Sequence, residues 1–343
     1  LRSYQRRFAH QMRQPLCTAH RLTHVTDLRG GIDLGGTKIQ AAIVDANGKV
    51  LGEARRPTPT SGGPANVAEE MAAALREAAE QAGVETGALE GVGVGSPGDV
   101  DEETGVVSAA RNLPGWDGSF PLAETLRQAL GTGVRVGNDV QVAVEGEYHL
   151  GAGSPYGSVL GVWWGTGVGG GLILDGKPWL GRGAAGEIGH MVVKRGGAKC
   201  PCGRKGCMEA YAGRAAMEAE ARRQHEEGVK TDLFKLMHKH GRERLTSGIW
   251  ERAIDHGDDL ATKLIERAIE MLGTGVASAV NLIDPEAVVI GGGLGERFGQ
   301  RYMDALGKEM GKHLFVDERP PALKVAALGD LGGAVGASLL FAR

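Results

Sequence analysis

Apolar positions along the chain fall into short continuous runs parted by glycine-rich turns, and the same order of runs occurs twice. Residues 30–34 and 39–44 carry two such runs on either side of Gly35-Gly36-Thr37-Lys38, and the turn Asp45-Ala46-Asn47-Gly48 leads into a third extended stretch from Lys49. Short apolar runs bounded by turn residues read as buried strands, and Asn-Gly is a strong hairpin signal. Residues 64–82 are rich in Ala and Glu with apolar residues at helical spacing, and Gly83 follows as a stop signal. Residues 91–95 and 134–136 read as further short strands, each running into a polar turn. The alternation β-β-β-α-β-α-β-α predicts an α/β domain.

After Asn138 the order returns in outline. Strands are expected at 158–164, at 171–174 across a glycine turn and at 191–194, then helices at 208–223, 231–240 and 259–281. A strand at 286–290 precedes the glycine run 291–295, and a last strand at 323–327 and a closing helix at 331–341 complete the pattern. Two halves that each open with strands around a glycine turn predict duplicated α/β domains facing each other. The expected small domain covers 29–137, joined by the C-terminal helix 330–343, and the large domain covers 138–329. A chain of 343 residues has room for two cores, because domains usually run to about 100–200 residues. A small-molecule site is then expected in the cleft between them.

Composition narrows the function class. With 42% hydrophobic and 24% charged residues, the chain is an ordinary globular protein, not a disordered or fibrous one. A formal net charge of −3 gives no overall pull toward nucleic acid. No run approaches the roughly 18 consecutive apolar residues of a membrane span, so a soluble protein with no membrane partner is expected. The 57 glycines predict many tight turns and close approaches of backbone to ligand. Residues 1–28 stand apart: Arg2, Arg6, Arg7, Arg13 and Arg21 occur there with Asp27 the only acid. An organelle transit peptide is one reading of such a segment. The leading leucine favours another, a disordered or non-native tail from a misplaced reading frame, which is set aside from the fold. No apolar stretch and cleavage site of a signal peptide is present, which supports a cytoplasmic location.

Three of the four cysteines lie in Cys200-Pro-Cys202-Gly-Arg-Lys-Gly-Cys207, with His190 ten positions before the first. That spacing suits a tetrahedral Cys3His site for structural Zn²⁺, with no open position for activated water. A disulfide or redox pair is the alternative. Cys17 has no evident partner.

The turn Asp33-Leu-Gly35-Gly36-Thr37-Lys38 sits between two strands, so its backbone N–H groups and the Thr37 hydroxyl can cradle phosphate oxygens. Asp33 is placed to hold Mg²⁺, which favours one or two carboxylates plus phosphates. Gly165-Thr166-Gly167-Val-Gly169-Gly170 nominally matches G-x-G-x-x-G but leads into another apolar run, so it reads as a second phosphate hairpin mirroring the first. Asn138-Asp139 follows a strand and starts a helix. Asp139 is there either an N-cap or a carboxylate that accepts a proton from a hydroxyl nucleophile. Glu187 and His190 in Gly186-Glu-Ile-Gly-His190, and Glu209 just past the last cysteine, gather in the same neighbourhood if a metal folds that loop. Carboxylates of this kind suit a polyhydroxylated ligand, since each can accept two hydroxyl hydrogen bonds.

Taken in order, the phosphate turn 33–38, Gly95-Ser-Pro-Gly98, Asn112-Leu-Pro-Gly-Trp116, Asn138-Asp139, Gly165-Thr166-Gly167, Glu187-x-x-His190, the cysteine loop with Glu209, and Gly291 to Gly295 resemble the ROK family (repressor, open reading frame, kinase). The resemblance covers about residues 30–343. It implies an actin-like ATPase (ribonuclease H-like) α/β fold, two domains closing over a central cleft. It also implies ATP-dependent phosphorylation of a hexose 6-hydroxyl with Mg²⁺ and structural Zn²⁺. Asp139 would be the general base, and Gly98, Asn112, Asn138, Glu187, His190 and Glu209 would grip the sugar. Asp33, Gly35, Gly36, Thr37 and Lys38 with Gly165, Thr166 and Gly167 would bind the phosphates, while Gly292, Gly293 and Leu294 would lie along adenosine. His190, Cys200, Cys202 and Cys207 would hold the zinc. The Asn-Leu-Pro-Gly-Trp run and Cys-Met-Glu-Ala-Tyr-Ala-Gly look most like bacterial glucokinases; N-acetylglucosamine, N-acetylmannosamine and fructose kinases share the other motifs. The family also holds sugar-sensing repressors, but about 28 residues before the first strand are too few for a winged helix-turn-helix. A homodimer or homotetramer is the assembly the resemblance implies.

Overall fold

A computed structural model describes residues 27–110 and 113–342. Asn112 and Cys17 lie outside the described residues. The first apolar runs form an antiparallel meander of β1 (Arg29–Leu34), β2 (Lys38–Val44) and β3 (Val50–Pro57). Its second turn needs Gly48, whose φ is +77°. Helix α1 (Gly63–Ala82) covers one face with Val67, Met71, Leu75 and Ala78, and Gly83 ends it in the left-handed region. Strand β4 (Gly91–Ser96) returns parallel to β1. A small antiparallel sheet of β5 (Asp99–Asp101), β6 (Val106–Ser108) and β7 (Ser119–Phe120) follows, then α2 (Leu122–Leu130). The alternation read from sequence does not contain that small sheet; its strands are only two or three residues long and show no period. Strand β8 (Val134–Asn138) completes the order β3-β2-β1-β4-β8 and passes into α3 (Asp139–Leu150).

The second half repeats this plan. Strands β9 (Val159–Trp164), β10 (Val168–Leu174) and the two-residue β11 (Lys177–Pro178) form a meander. After a long insertion, β12 (Ala287–Gly291) and β13 (Ala322–Val325) add in parallel, giving β11-β10-β9-β12-β13. The insertion holds the cysteine loop and α4 (Glu209–Ala212), α5 (Arg214–Glu226), α6 (Leu233–Lys239), α7 (Ser247–Asp255) and α8 (Asp259–Ile283). Helix α9 (Gly292–Gly311) links β12 to β13, and α10 (Gly332–Ser338) closes the chain. Each sheet has its own core. Ile32, Leu75, Val94 and Trp116 are buried in the first half, and Val162, Trp250, Leu264 and Phe298 in the second.

Helices α3 and α10 join the halves, and they do so through glycine. A Cβ on Gly31 or Gly93 would lie 1.8 Å from the carbonyl oxygen of Ala334 or Ala337, so α10 rests directly on the backbone of β1 and β4. A Cβ on Gly336 would lie 2.1 Å from the Val142 carbonyl, and one on Gly146 would lie 2.9 Å from Gly336 Cα. The buried Glu147 carboxylate then accepts N–H bonds from Ala327 and Leu328, at 2.8–3.0 Å, and ties the end of α3 to the segment entering α10.

Several elements depart from the sequence reading. Residues 191–194 are not a strand: the N–H groups of Val193 and Lys194 donate to Gly206 in the cysteine loop. The expected helix 208–223 is broken at Gly213 into α4 and α5, because the first N–H groups of α5 turn to the carbonyls of Gly165 and Thr166. Helices α7 and α9 are new. The glycine run that opens α9 reads locally as a turn, although its apolar stripe of Leu294, Phe298, Leu306 and Met310 is fully used. Strand β10 begins at Val168, three residues before the expected start.

Candidate active site

The C-terminal ends of the parallel strands of both sheets open on one cleft, as expected where ligands meet α/β sheets. Asp33 is at the end of β1, in register with Gly95 of β4. A Cβ on Gly333 would come within 2.6 Å of its carboxyl carbon, so the carboxylate packs directly on α10. The cap of α3 is Asn138, not Asp139: its Oδ1 accepts from Val140 N and Gln141 N, both at 3.1 Å. Asp139 is thereby released to the cleft, although its Oδ1 also lies 2.9 Å from Val140 N. Burial pushes the Asp139 carboxyl up to about 6; the Glu187 charge adds to the rise and the Val140 N–H opposes it. Asp33 is pushed up to about 7, chiefly by burial and then by the charge of Asp139, against the pull of Lys38. At neutral pH Asp139 is mostly ionised yet basic enough to take a proton, the condition for a general base.

The two glycine turns flank this pair. In the first, Gly35 N donates to Lys38 O at 2.9 Å, and Thr58 donates its hydroxyl to Gly35 O at 2.7 Å and its N–H to Thr37 O at 3.2 Å. These bonds occupy the carbonyls and leave Gly36 and Thr37 exposed. Lys38 pairs with Asp330, which also accepts from Gln40 at 3.1 Å. In the second turn Gly165 N donates to Gly167 O, and Arg214 N and Ala215 N donate to Gly165 O and Thr166 O, each at 3.0 Å. Glu209 Oε2 accepts from Val168 N at 3.0 Å, and a Cβ on Gly167 would strike it. Gly292, at φ +79°, and Gly293 open α9 against Trp164, while the Leu294 side chain is turned away into the core.

A cavity of about 520 Å³ runs between these features, lined by Gly35, Gly36, Gly98, Asn138, Asp139, Gly165, Thr166, Gly167, Glu187, His190, Glu209 and Gly292. On one side lies a chamber of about 270 Å³ with Asp33, Lys38, Asp139, Gly293, Glu296 and Asp330. On the other lies one of about 810 Å³ that shares Gly98, Asn138, Glu187 and His190 and is walled by Leu180, Gly181, Ala184 and Ala185. Asp330, Glu296, Thr58 and Arg214 were not singled out by sequence. Only the glycine flanking Asp330 and the position of Arg214 just after Gly213 mark them, and their partners are far along the chain.

His190, Cys200, Cys202 and Cys207 place one ligand atom each within 4.8 Å of one another. The Cys202 and Cys207 sulfurs are 3.7 Å apart, and Cys200 Sγ is 3.7 Å from His190 Nδ1. A tetrahedral zinc with Zn–S bonds of about 2.3 Å has edges of about 3.8 Å, so the set fits Zn²⁺. All three thiols are free; burial pushes that of Cys200 up to about 12, while the Arg204 N–H holds that of Cys202 down. The other imidazole nitrogen, Nε2, faces the cleft, 3.8 Å from Glu187 Oε2.

Comparison with known proteins agrees with this geometry. The ROK family profile matches residues 29–343. A glucokinase of Halalkalibacterium halodurans is 33% identical, with 90% of this chain and 93% of the relative covered. An N-acetylgalactosamine kinase of a Shewanella species is 34% identical over 90% and 95%. The crystal structure of a ROK family glucokinase from Streptomyces griseus, in complex with glucose and AMPPNP, superposes with a TM-score of 0.78 at 33% identity, covering 91% of this chain and 98% of that one. Among the described residues no helix is long and apolar enough to cross a membrane.

Proposed function

The chain belongs to the ROK family and is a sugar kinase, and from that premise we propose that it transfers the γ-phosphoryl group of ATP to the 6-hydroxyl of glucose. The observation that carries the reading is the convergence of Asp139, Glu187 and His190 on one cavity between two glycine turns. Asp139 takes the proton of the 6-hydroxyl as the oxygen attacks phosphorus. Its position at the N-terminus of α3 keeps the carboxylate fixed, and its raised pKa suits it to the transfer. Asn138, Glu187, His190 and Glu209, with Gly98 and Asn112, hold the sugar. The turns 35–38 and 165–167 hold the phosphates, and Gly292 and Gly293 lie beside the adenosine; Leu294 contributes backbone only.

Asp33 would hold Mg²⁺. The residues fit, because a buried carboxylate with a raised pKa beside a second one gains most from a hard cation with oxygen ligands. Bound there, Mg²⁺ neutralises charge on the phosphates. The zinc set fixes the loop that carries His190 and Glu209, so the metal acts on substrate geometry and not on the bond that breaks. The bodies 29–137 with 330–343, and 138–329, would close on the ternary complex and exclude water as a competing acceptor. A cytoplasmic location suits the three free thiols, and a homodimer or homotetramer is the assembly to test.

An N-acetylhexosamine is the second reading. It is favoured by the N-acetylgalactosamine kinase of equal identity and by the roomy chamber next to Glu187, whose small apolar wall could admit an acetamido group. A coupled ADP-release assay with ATP and Mg²⁺ across glucose, mannose, fructose and the N-acetylhexosamines tests both. Glucose should lead in kcat/KM by about a hundredfold, equivalent to about 2.7 kcal/mol of transition-state discrimination. An N-acetyl sugar in the lead replaces the substrate and keeps the mechanism. No turnover with any hexose rejects the proposal.

A further inference from the structure

The second glycine turn has a support that no motif assigns. Arg214, the first residue of α5, is bonded to that turn twice and to Leu245 once. Its N–H donates to Gly165 O at 3.0 Å, and its guanidinium donates to Thr166 Oγ1 at 2.8 Å and to Leu245 O at 3.0 Å. The carboxylate whose field reaches it, Glu218, is taken up by Arg222 and by Leu245 N. Among the described residues the guanidinium therefore has no carboxylate in contact, in contrast to Lys38 of the first turn, which is paired with Asp330.

The bond to Thr166 has a definite polarity. Arginine carries donors only, so Thr166 Oγ1 must be the acceptor. A hydroxyl has one proton and two lone pairs, and with a lone pair committed to Arg214 its proton is left to point elsewhere. Thr166 is exposed in the cleft, and among the described residues its hydroxyl donates to no protein acceptor, so its proton is open to a ligand. We propose that Arg214 is a positioning residue: it fixes the Thr166 hydroxyl as a dedicated hydrogen-bond donor to a phosphate oxygen of the nucleotide and brings an unquenched positive charge behind it. This rests on the reading of the cleft as a nucleotide site.

The test is a double-mutant cycle on ATP affinity, measured by calorimetry with Mg²⁺ and independent of turnover. Arg214→Met and Thr166→Val should each weaken ATP binding by about tenfold, and the double variant should lose no more than about twofold beyond either single, because the two act as one unit. Glucose affinity should stay within about twofold throughout, and Arg214→Lys, which keeps the charge but not the fork that reaches both Thr166 and Leu245, should recover only part of the loss. Independent losses that multiply to about a hundredfold in the double variant, or an equal loss of sugar affinity, would overturn the proposal. If Arg214→Met does not fold, Arg214→Gln, which removes the charge but keeps a polar group beside Leu245 O, completes the same cycle against Thr166→Val. If the unmodified protein binds ATP but phosphorylates no hexose, the sugar reading falls while Arg214 is still judged on these affinities. If it binds no ATP, both fall.

Discussion

The two sheets share one strand order but use the same position for different ends. Where β1 carries Asp33 opposite Gly95, β9 carries Trp163 opposite Gly291, and the indole packs over that glycine. Negative charge gathers where the first sheet meets α3 and α10, with Asp33 at the end of β1, Asp139 at the head of α3, and Asp330. The second offers a flat ring, backbone amides and an insertion that delivers Glu187, His190 and Glu209. On the proposed reading, a repeated architecture is divided between a side that would handle metal and proton and a side that would shape the ligand, where the two repeats differ.

The largest break in that division should come from Asp139→Asn. It should cut kcat by about 10²–10⁴-fold while leaving sugar affinity, by calorimetry, within about tenfold. In the unmodified protein kcat/KM should fall as the pH drops through about 6, where Asp139 takes up a proton and can no longer act as a base. The ligand-shaping half is broken by Cys202→Ser. That variant should lose zinc in elemental analysis and raise the sugar KM by about 10–100-fold, with a smaller effect on kcat than Asp139→Asn. A protein that carries no zinc when purified without chelators would contradict this.

The smallest effect sharpens the contrast through stability. The Asp33 carboxyl lies above its unfolded value of 3.8, at about 7. Its protonated form therefore favours the fold below about 4, and that contribution is lost as the pH rises through 7. Asp33→Asn should accordingly melt a few degrees above the unmodified apo protein at pH 8, with the gap closing toward pH 4. Melting curves at several pH values measure it, and a gap that widens in acid would reverse the assignment.

What sequence could reveal followed from how local each signal is. The two glycine turns, Asn138-Asp139 and the cysteine loop are contiguous, and the structure brings them to one cleft. Helix α9 was hidden because its start is a glycine run needed for approach to Trp164, so the residues that mark a turn are those that open a helix. Residues 191–194 have the composition of a strand, but Val192 pairs only as an isolated bridge with Cys207 and the next two N–H groups go to Gly206. The capping role of Asn138 over Asp139 depends on where the backbone bends, which spacing does not give. Asp330 meets Lys38 across 292 positions, and Arg214 meets Thr166 across 48; no local pattern records either pairing.

The crossing of α3 and α10 is made where Gly146 meets Gly336, main chain on main chain. At that point no rotamer stands between the two helices, while beside it Val142 packs on Ala337 and Leu340. If the two halves close on their ligands as proposed, the residues lining the cavities can change one by one without touching this crossing, because neither Gly146 nor Gly336 lines them. Substrate choice and the proposed closure would then be separately inheritable.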